Sequence, residues 1–210
     1  MQGNLFDADE ISSGPIRHSI ENAELLEYPK LLDNEQATQI LETLIAVIPW
    51  QQEYLKIAGR IRAVPRLQCW MGDSSSEYGY SGVRLTPCPW HETVQSLHDT
   101  IAKKIDVRFN SVLLNYYRNG QDSVAWHADD EPELGDRPLI ASLSLGAERS
   151  FELKQKHGSR ASKYRMPLLN GSLLVMGGGM QQHWLHQLPK DKMLDKPRIN
   201  LTFRNIVSGS

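Results

Sequence analysis

After about residue 110 the chain becomes a succession of short β-rich runs, at 111–117, 139–145, 150–154, 164–168, 172–176, 183–188 and 199–206, with turn residues between them. Many short strands punctuated in this way restrict the fold to a sandwich or jelly roll. The first half reads differently. At 34–48, Ile40, Leu41, Leu44, Ile45 and Ile48 recur at helical spacing behind an Asn34 cap, and at 92–105 Val94, Leu97, Ile101 and Ile105 share a face just after Pro89. Helices gathered before strands predict an α+β domain whose helices buttress one side of the β-structure. Between the helices, the Gly, Ser and Tyr rich stretch 72–82 reads as a surface loop or hairpin. Residues 1–22 show little periodicity and read as an extended arm, which leaves 23–210 as one domain of ordinary size.

No apolar run approaches the roughly 18 residues of a membrane span, so no membrane insertion is expected. The polar, acidic start lacks a basic segment followed by an apolar one, and a cytoplasmic location is expected. Cys69 and Cys88 have no CxxC spacing and suit a reducing compartment as packing residues. A net charge of −2 gives no global signature for nucleic acid, so any phosphate contact must be local. Two basic stretches offer it: Lys56, Arg60, Arg62 and Arg66, then Lys154, Lys156, Arg160, Lys163 and Arg165.

His127 and Asp129 stand two apart, and on an extended segment alternate side chains leave on the same face. An imidazole and a carboxylate can therefore reach one ion. A third ligand would complete the set of two histidines and one carboxylate that leaves iron positions open, and His186 is the candidate. An HxD pair alone arises by chance; a second set of residues strengthens it. Arg198 and Arg204 are six apart on a predicted strand, so their guanidinium forks share a face and suit the two carboxylates of a diacid. Asn200 and Thr202 lie on that polar face, and Ile199, Leu201 and Phe203 alternate with them, so one face reads as apolar core and the other as the lining of a polar cavity. Asn115 and Tyr117 share a face of another strand and could complete the anchor.

These residues resemble the AlkB family of nucleic-acid dealkylating dioxygenases, particularly its members similar to the human DNA-repair homologues. The resemblance spans roughly 64–206. It rests on Val64-Pro65-Arg66, the Tyr78-to-Gly82 segment, the run from Asn115 through Trp126-His127-Ala128-Asp129-Asp130-Glu131, the Ile140-to-Ala147 segment, and Pro197-Arg198-Ile199-Asn200-Leu201-Thr202-Phe203-Arg204. It implies a double-stranded β-helix (jelly roll) at about 110–207, buttressed by the N-terminal helices, with a nucleotide-recognition lid at about 56–86.

The resemblance implies Fe(II) held by His127, Asp129 and His186, with 2-oxoglutarate held by Asn115, Tyr117, Arg198 and Arg204, and O2 as the oxidant. It selects His186 over His183, which would face the other way on a strand, and leaves His18, His91, His98 and His157 as surface or structural residues. It also implies that Tyr78, Tyr80 and Trp126 lie near a base pocket, with Asp130 and Glu131 beside the substrate and Arg66 paired to that acidic side. The expected activity is oxidative dealkylation of bases of the 1-methyladenine and 3-methylcytosine type in DNA, by a monomer. An RNA or protein demethylase and a non-catalytic metal-binding jelly roll are the alternatives. A bulky aromatic wedge precedes the Val-Pro-Arg segment in the duplex-repairing human homologue. Ile57, Ala58 and Gly59 stand there in this chain, so single-stranded DNA is the expected preference, with RNA possible.

Overall fold

The computed structural model describes residues 14–57, 59–74, 78–80, 83–85, 87–157 and 162–207, with the backbone alone at Ile57 and in 78–80 and 83–85. Helix α1 (Asn34–Val47) starts in a capping box: the Asp33 carboxylate accepts the Gln36 N–H at 2.8 Å, and the Gln36 side-chain oxygen accepts the Asp33 N–H at 3.3 Å. The cap thus lies one residue before the predicted Asn34, whose side-chain oxygen instead accepts Asn170 Nδ2 at 2.7 Å. Helix α2 (Glu92–Ile105) has the predicted bounds, starts with His91 Nδ1 accepting the Thr93 N–H, and ends at a left-handed Asp106.

Strands β1 (Ile16–His18), β2 (Glu24–Tyr28), β3 (Gln51–Ile57), β4 (Arg60–Gly72), β7 (Ser111–Tyr117), β9 (Ile140–Gly146), β12 (Leu173–Gly177) and β14 (Arg198–Arg204) form the major sheet, in the order 1-2-12-9-14-7-4-3. Strands β8 (Val124–His127), β10 (Arg149–Gln155), β11 (Lys163–Leu168) and β13 (Trp184–Leu188) form a minor sheet, in the order 11-10-13-8. A separate hairpin joins β5 (Tyr78–Tyr80) to β6 (Val83–Leu85). The result is a jelly roll extended on both edges by N-terminal strands. The major sheet therefore reaches beyond 110–207. Residues 16–18, within the predicted arm, pair with β2, and His18 is fastened between Glu27 Oε2 at 2.8 Å and the Tyr164 hydroxyl at 2.7 Å. A three-residue strand is too short to show a period in sequence.

Side-chain parity divides each central strand. Ile199, Leu201 and Phe203 of β14, Val112 and Leu114 of β7, and Leu143 and Leu145 of β9 pack against Leu41, Leu44, Val94, Leu97 and Ile101 of the two helices. At roughly 25 cal/mol per Å², this apolar layer is the main stabilising term. The opposite faces of the same strands turn toward the minor sheet. A second apolar cluster there includes Phe151, Leu153, Met176, Trp184 and Leu188. Gly146 lets β9 close beside Arg198: its φ is +89°, and a Cβ there would lie 2.5 Å from the Pro197 carbonyl oxygen.

Candidate active site

Strand β13 pairs with β8 so that His186 stands opposite His127, the register shifts on the side toward Leu188 and Val124, and Asp129 follows just past the end of β8. The nitrogens of both imidazoles and a carboxylate oxygen of Asp129 can lie within 4.8 Å of one another. Each is prepared for a cation. His127 Nδ1 lies 2.8 Å from the Ala125 carbonyl oxygen, which can only accept, so the proton is on Nδ1 and the lone pair is on Nε2, 3.7 Å from Asp129 Oδ1. His186 is buried and its Nδ1 has no hydrogen-bond partner. Burial, helped by His127 and Lys156 and opposed by Asp129, pushes its pKa down to about 4, so the ring is a neutral ligand at pH 7. Burial pushes the Asp129 carboxyl up, but Arg204, His186, His127 and Arg66 together hold it below the ordinary carboxylate range. Its backbone N–H donates to Gln181 Oε1 at 3.0 Å, and Gln181 is itself buried.

A cavity of about 170 Å³ beside this group is lined on the major-sheet side by Asn115, Tyr117, Arg198, Asn200, Thr202 and Arg204. Arg198 is fully buried, donates to Ser144 Oγ at 3.0 Å, and lies 5.3 Å from the centre of the Tyr117 ring. Its Nε has no partner, and no carboxylate among the described residues forms an ion pair with it. Burial pulls its pKa down to about 10. A buried guanidinium with donors unmet calls for an anion. Asn115 Oδ1 accepts from Arg66 Nε at 2.8 Å and Gln68 Nε2 at 2.9 Å, which fixes the amide and leaves its own Nδ2 to donate. The Thr202 hydroxyl donates to Asn200 Oδ1 at 2.9 Å, and Asn200 Nδ2 donates to Ser142 Oγ at 2.7 Å. Two imidazoles with a carboxylate beside two cationic forks fit iron and a dicarboxylate.

The family model for the 2OG-Fe(II) oxygenase superfamily matches residues 24–204. The chain belongs to that superfamily. Within it the chain falls among the AlkB proteins: it is 35% identical to human DNA oxidative demethylase ALKBH2 over 206 residues, 93% of this chain and 79% of that one. It is 40% identical to human alpha-ketoglutarate-dependent dioxygenase alkB homolog 3 over 187 residues, 85% of this chain, and spans 65% of that relative's length. The solved structure of OsALKBH1 superposes with a TM-score of 0.55 at 18% identity, covering 86% of this chain and 97% of that one, and shares the fold. Fe(II), 2-oxoglutarate and O2 are the cofactor and cosubstrates of this superfamily.

Other predicted site residues of this oxygenase fall into different places. Arg66, expected on an acidic partner, instead binds Asn115 and the Ser123 carbonyl, at 3.3 Å, because β4 lies beside β7 and aims it at Asn115. Asp130 pairs with Lys156 Nζ at 2.7 Å. Trp126 lines neither cavity described here; Lys154 Nζ sits 4.5 Å from its ring centre. Glu131 borders the metal cavity and, with Leu113 and Arg204, an adjoining chamber of about 340 Å³ that also meets Trp70, Glu53 and Glu133. Tyr78 and Tyr80 lie on β5, but their side chains, like those of Ile57 and Ala58, fall outside the described residues. Gly59 takes the hairpin turn at φ +78°. His183 is exposed at the end of the short helix α3 (Met180–His183), outside the ligand group.

Sequence reasoning placed Asn200 on the polar face by its even spacing from Arg198 and Arg204 but missed Ser142, Ser144, Gln68 and Gln181. Nothing local marks Gln181, because its partner is 52 residues away. Among the described residues, no helix is long and apolar enough to cross a membrane.

Proposed function

We propose that this oxygenase removes alkyl groups from N-alkylated bases of nucleic acid, with cationic lesions such as 1-methyladenine and 3-methylcytosine in DNA as substrates and single strands preferred. The observation that carries the reading is the chamber that adjoins the cavity beside His127, Asp129 and His186. It shares Leu113, Glu131 and Arg204 with that cavity, and three carboxylates and an indole border it.

His127, Asp129 and His186 hold the iron in this reading, and Arg198, Arg204, Asn115, Tyr117 and Thr202 hold 2-oxoglutarate. The bound pair with O2 supplies oxidation of the N-alkyl carbon, 2-oxoglutarate leaving as succinate and CO2. The hydroxylated carbon–nitrogen bond then breaks, an aldehyde leaves, and the base keeps the electron pair and loses its positive charge. The protein's own part is placement. Glu53, Glu131 and Glu133 favour a cationic base over a neutral one by Coulomb attraction in a partly dry site, and Trp70 offers a flat face to it. Asp130 is already neutralised by Lys156, so the preference for charge rests on the three glutamates. An alkylated Watson–Crick edge pairs poorly, which lowers the cost of drawing the base out. A monomer in the cytoplasm is part of the same reading.

The test is formaldehyde release from single-stranded DNA, duplex DNA and RNA carrying 1-methyladenine, beside a methylated peptide. Release from the nucleic acids, fastest from single-stranded DNA, is expected; release from the peptide alone would overturn the reading.

A further inference from the structure

Arg149, at the start of β10, is buried and lines neither the metal cavity nor the chamber. A guanidinium taken out of water needs its donors met, and the hydrogen-bond partners of this one are backbone carbonyls. Its Nη2 donates to Asp122 at 3.0 Å and to Pro189, and its Nη1 to Asn119 at 3.5 Å. Among the described residues it forms no ion pair, so neutralising an acid is not what holds it there. The carbonyls it joins belong to two segments. Asn119 and Asp122 lie in the turn after β7, which Arg118 also fastens through the Asp122 carboxylate at 2.8 Å; Pro189 follows β13, the strand of His186.

Tyr117 ends β7, so the turn that Arg149 holds begins where Tyr117 stops. The Tyr117 ring is buried, with the Arg149 guanidinium 5.9 Å and the Arg198 guanidinium 5.3 Å from its centre, both within cation–π reach. Tyr117 and Arg198 line the cosubstrate cavity, whereas Arg149 meets the same ring from outside it. A planar guanidinium locked onto three carbonyls is a rigid support, which an ammonium on a flexible stem is not. A ring backed in this way cannot tilt out of the cavity wall.

We propose that Arg149 is a positioning residue that sets which dicarboxylate the enzyme accepts, by holding the Tyr117 ring at a fixed depth in the cosubstrate cavity. The proposal rests on the reading above in which Tyr117 and Arg198 anchor the cosubstrate. With the ring fixed, the cavity of about 170 Å³ admits 2-oxoglutarate and disfavours 2-oxoadipate, which is one methylene longer and needs the ring to move. One methylene in a close-fitting pocket is discriminated by roughly 10- to 200-fold. Once the support behind the ring is lost, the wall gives way and that discrimination falls.

The experiment titrates the Mn(II)-loaded protein with 2-oxoglutarate and with 2-oxoadipate by calorimetry, without turnover, for wild type, Arg149→Lys, Arg149→Met, Tyr117→Leu and the double variant of Tyr117→Leu with Arg149→Lys. Wild type is expected to prefer 2-oxoglutarate by at least about tenfold, and both Arg149 variants to bring the two acids within about threefold of each other. Arg149→Lys keeps a donor for the carbonyls without the flat fork, so it decides the matter if Arg149→Met does not fold. In the Tyr117→Leu background the further change at Arg149 should leave the ratio where it is, because the ring it acts through is gone. An unchanged ratio in Arg149→Lys, or an equal loss of both acids, overturns the proposal, as does a further change of ratio in the double variant. Wild-type affinity for 2-oxoglutarate in Arg198→Lys would instead remove the anchoring reading beneath it, a result distinct from an unchanged ratio in the Arg149 variants alone.

Discussion

His186 of β13 stands opposite His127 of β8, with their ring centres 4.2 Å apart. One strand pair therefore delivers two candidate ligands at a fixed spacing, and Asp129 follows where β8 ends, its backbone tied to Gln181.

His127→Ala, Asp129→Ala and His186→Ala are each expected to abolish turnover and to lose Mn(II) binding, whereas His183→Ala stays within a few-fold of wild type. His183 sits exposed at the end of α3, outside the ligand group. Calorimetric Mn(II) titration and formaldehyde release check this. A dead His183→Ala beside an active His186→Ala would reverse the assignment.

Arg204→Lys and Arg198→Lys should each weaken 2-oxoglutarate binding, because an ammonium cannot reproduce a bidentate fork, and charge-assisted contacts contribute roughly 1.5–3 kcal/mol. The change should appear in the apparent KM for 2-oxoglutarate. If both variants kept the wild-type value, the cosubstrate would be anchored elsewhere.

Gln181→Leu removes the acceptor for the Asp129 N–H while nearly preserving volume. Outer partners of metal ligands typically contribute about 10- to 100-fold in affinity, and a loss in that range is expected for Mn(II). A thermal melt within a few degrees of wild type would separate this from unfolding.

What the sequence made legible was periodic or closely spaced. The alternation across Arg198–Arg204 predicted both the helix-packed face and the polar face of β14, and two-residue spacing predicted that Asn115 and Tyr117 would share a cavity. What it hid depended on distant partners. Arg66 reads as a cation awaiting an acid, but its partner is an amide 49 residues away. Asp130 reads as a free carboxylate until β10 brings up Lys156, 26 residues on.

Asp122 gives a pH dependence of stability. Burial pushes its carboxyl up, but side-chain and backbone bonds from Arg118, with the charges of Arg118 and Arg149, bring it below the ordinary value. A lowered folded-state value stabilises the fold above the unfolded pKa of about 3.9, and that contribution fades as pH falls through the folded value. Asp122→Asn should therefore cost about 2 kcal/mol at pH 7 and progressively less below about pH 4. Urea midpoints at pH 7 and pH 3 measure it; an undiminished gap at pH 3 would exclude the ionic origin.

Strand preference is expected to depend on the hairpin turn. Ile57 pairs with Arg60 across Ala58 and Gly59, so the residue at the tip has a methyl group where a duplex-repairing relative would need a ring to fill the space left by an extruded base. Unstacking a base costs a few kcal/mol and an aromatic contact returns about 1–3 kcal/mol, an amount a methyl cannot supply. A single strand has less stacking to lose, so the missing ring matters mainly on duplex. Faster repair of single strands than of matched duplex is expected, and Ala58→Phe should raise the duplex rate selectively, by about tenfold if half of that stacking range is recovered. Because Lys56, Arg60 and Arg62 are not altered, binding of both forms should still weaken with salt at the wild-type slope. Equal wild-type rates on the two substrates, with no duplex-specific gain in Ala58→Phe, would show that the tip does not set strand preference and that duplex opening is driven from elsewhere on the protein.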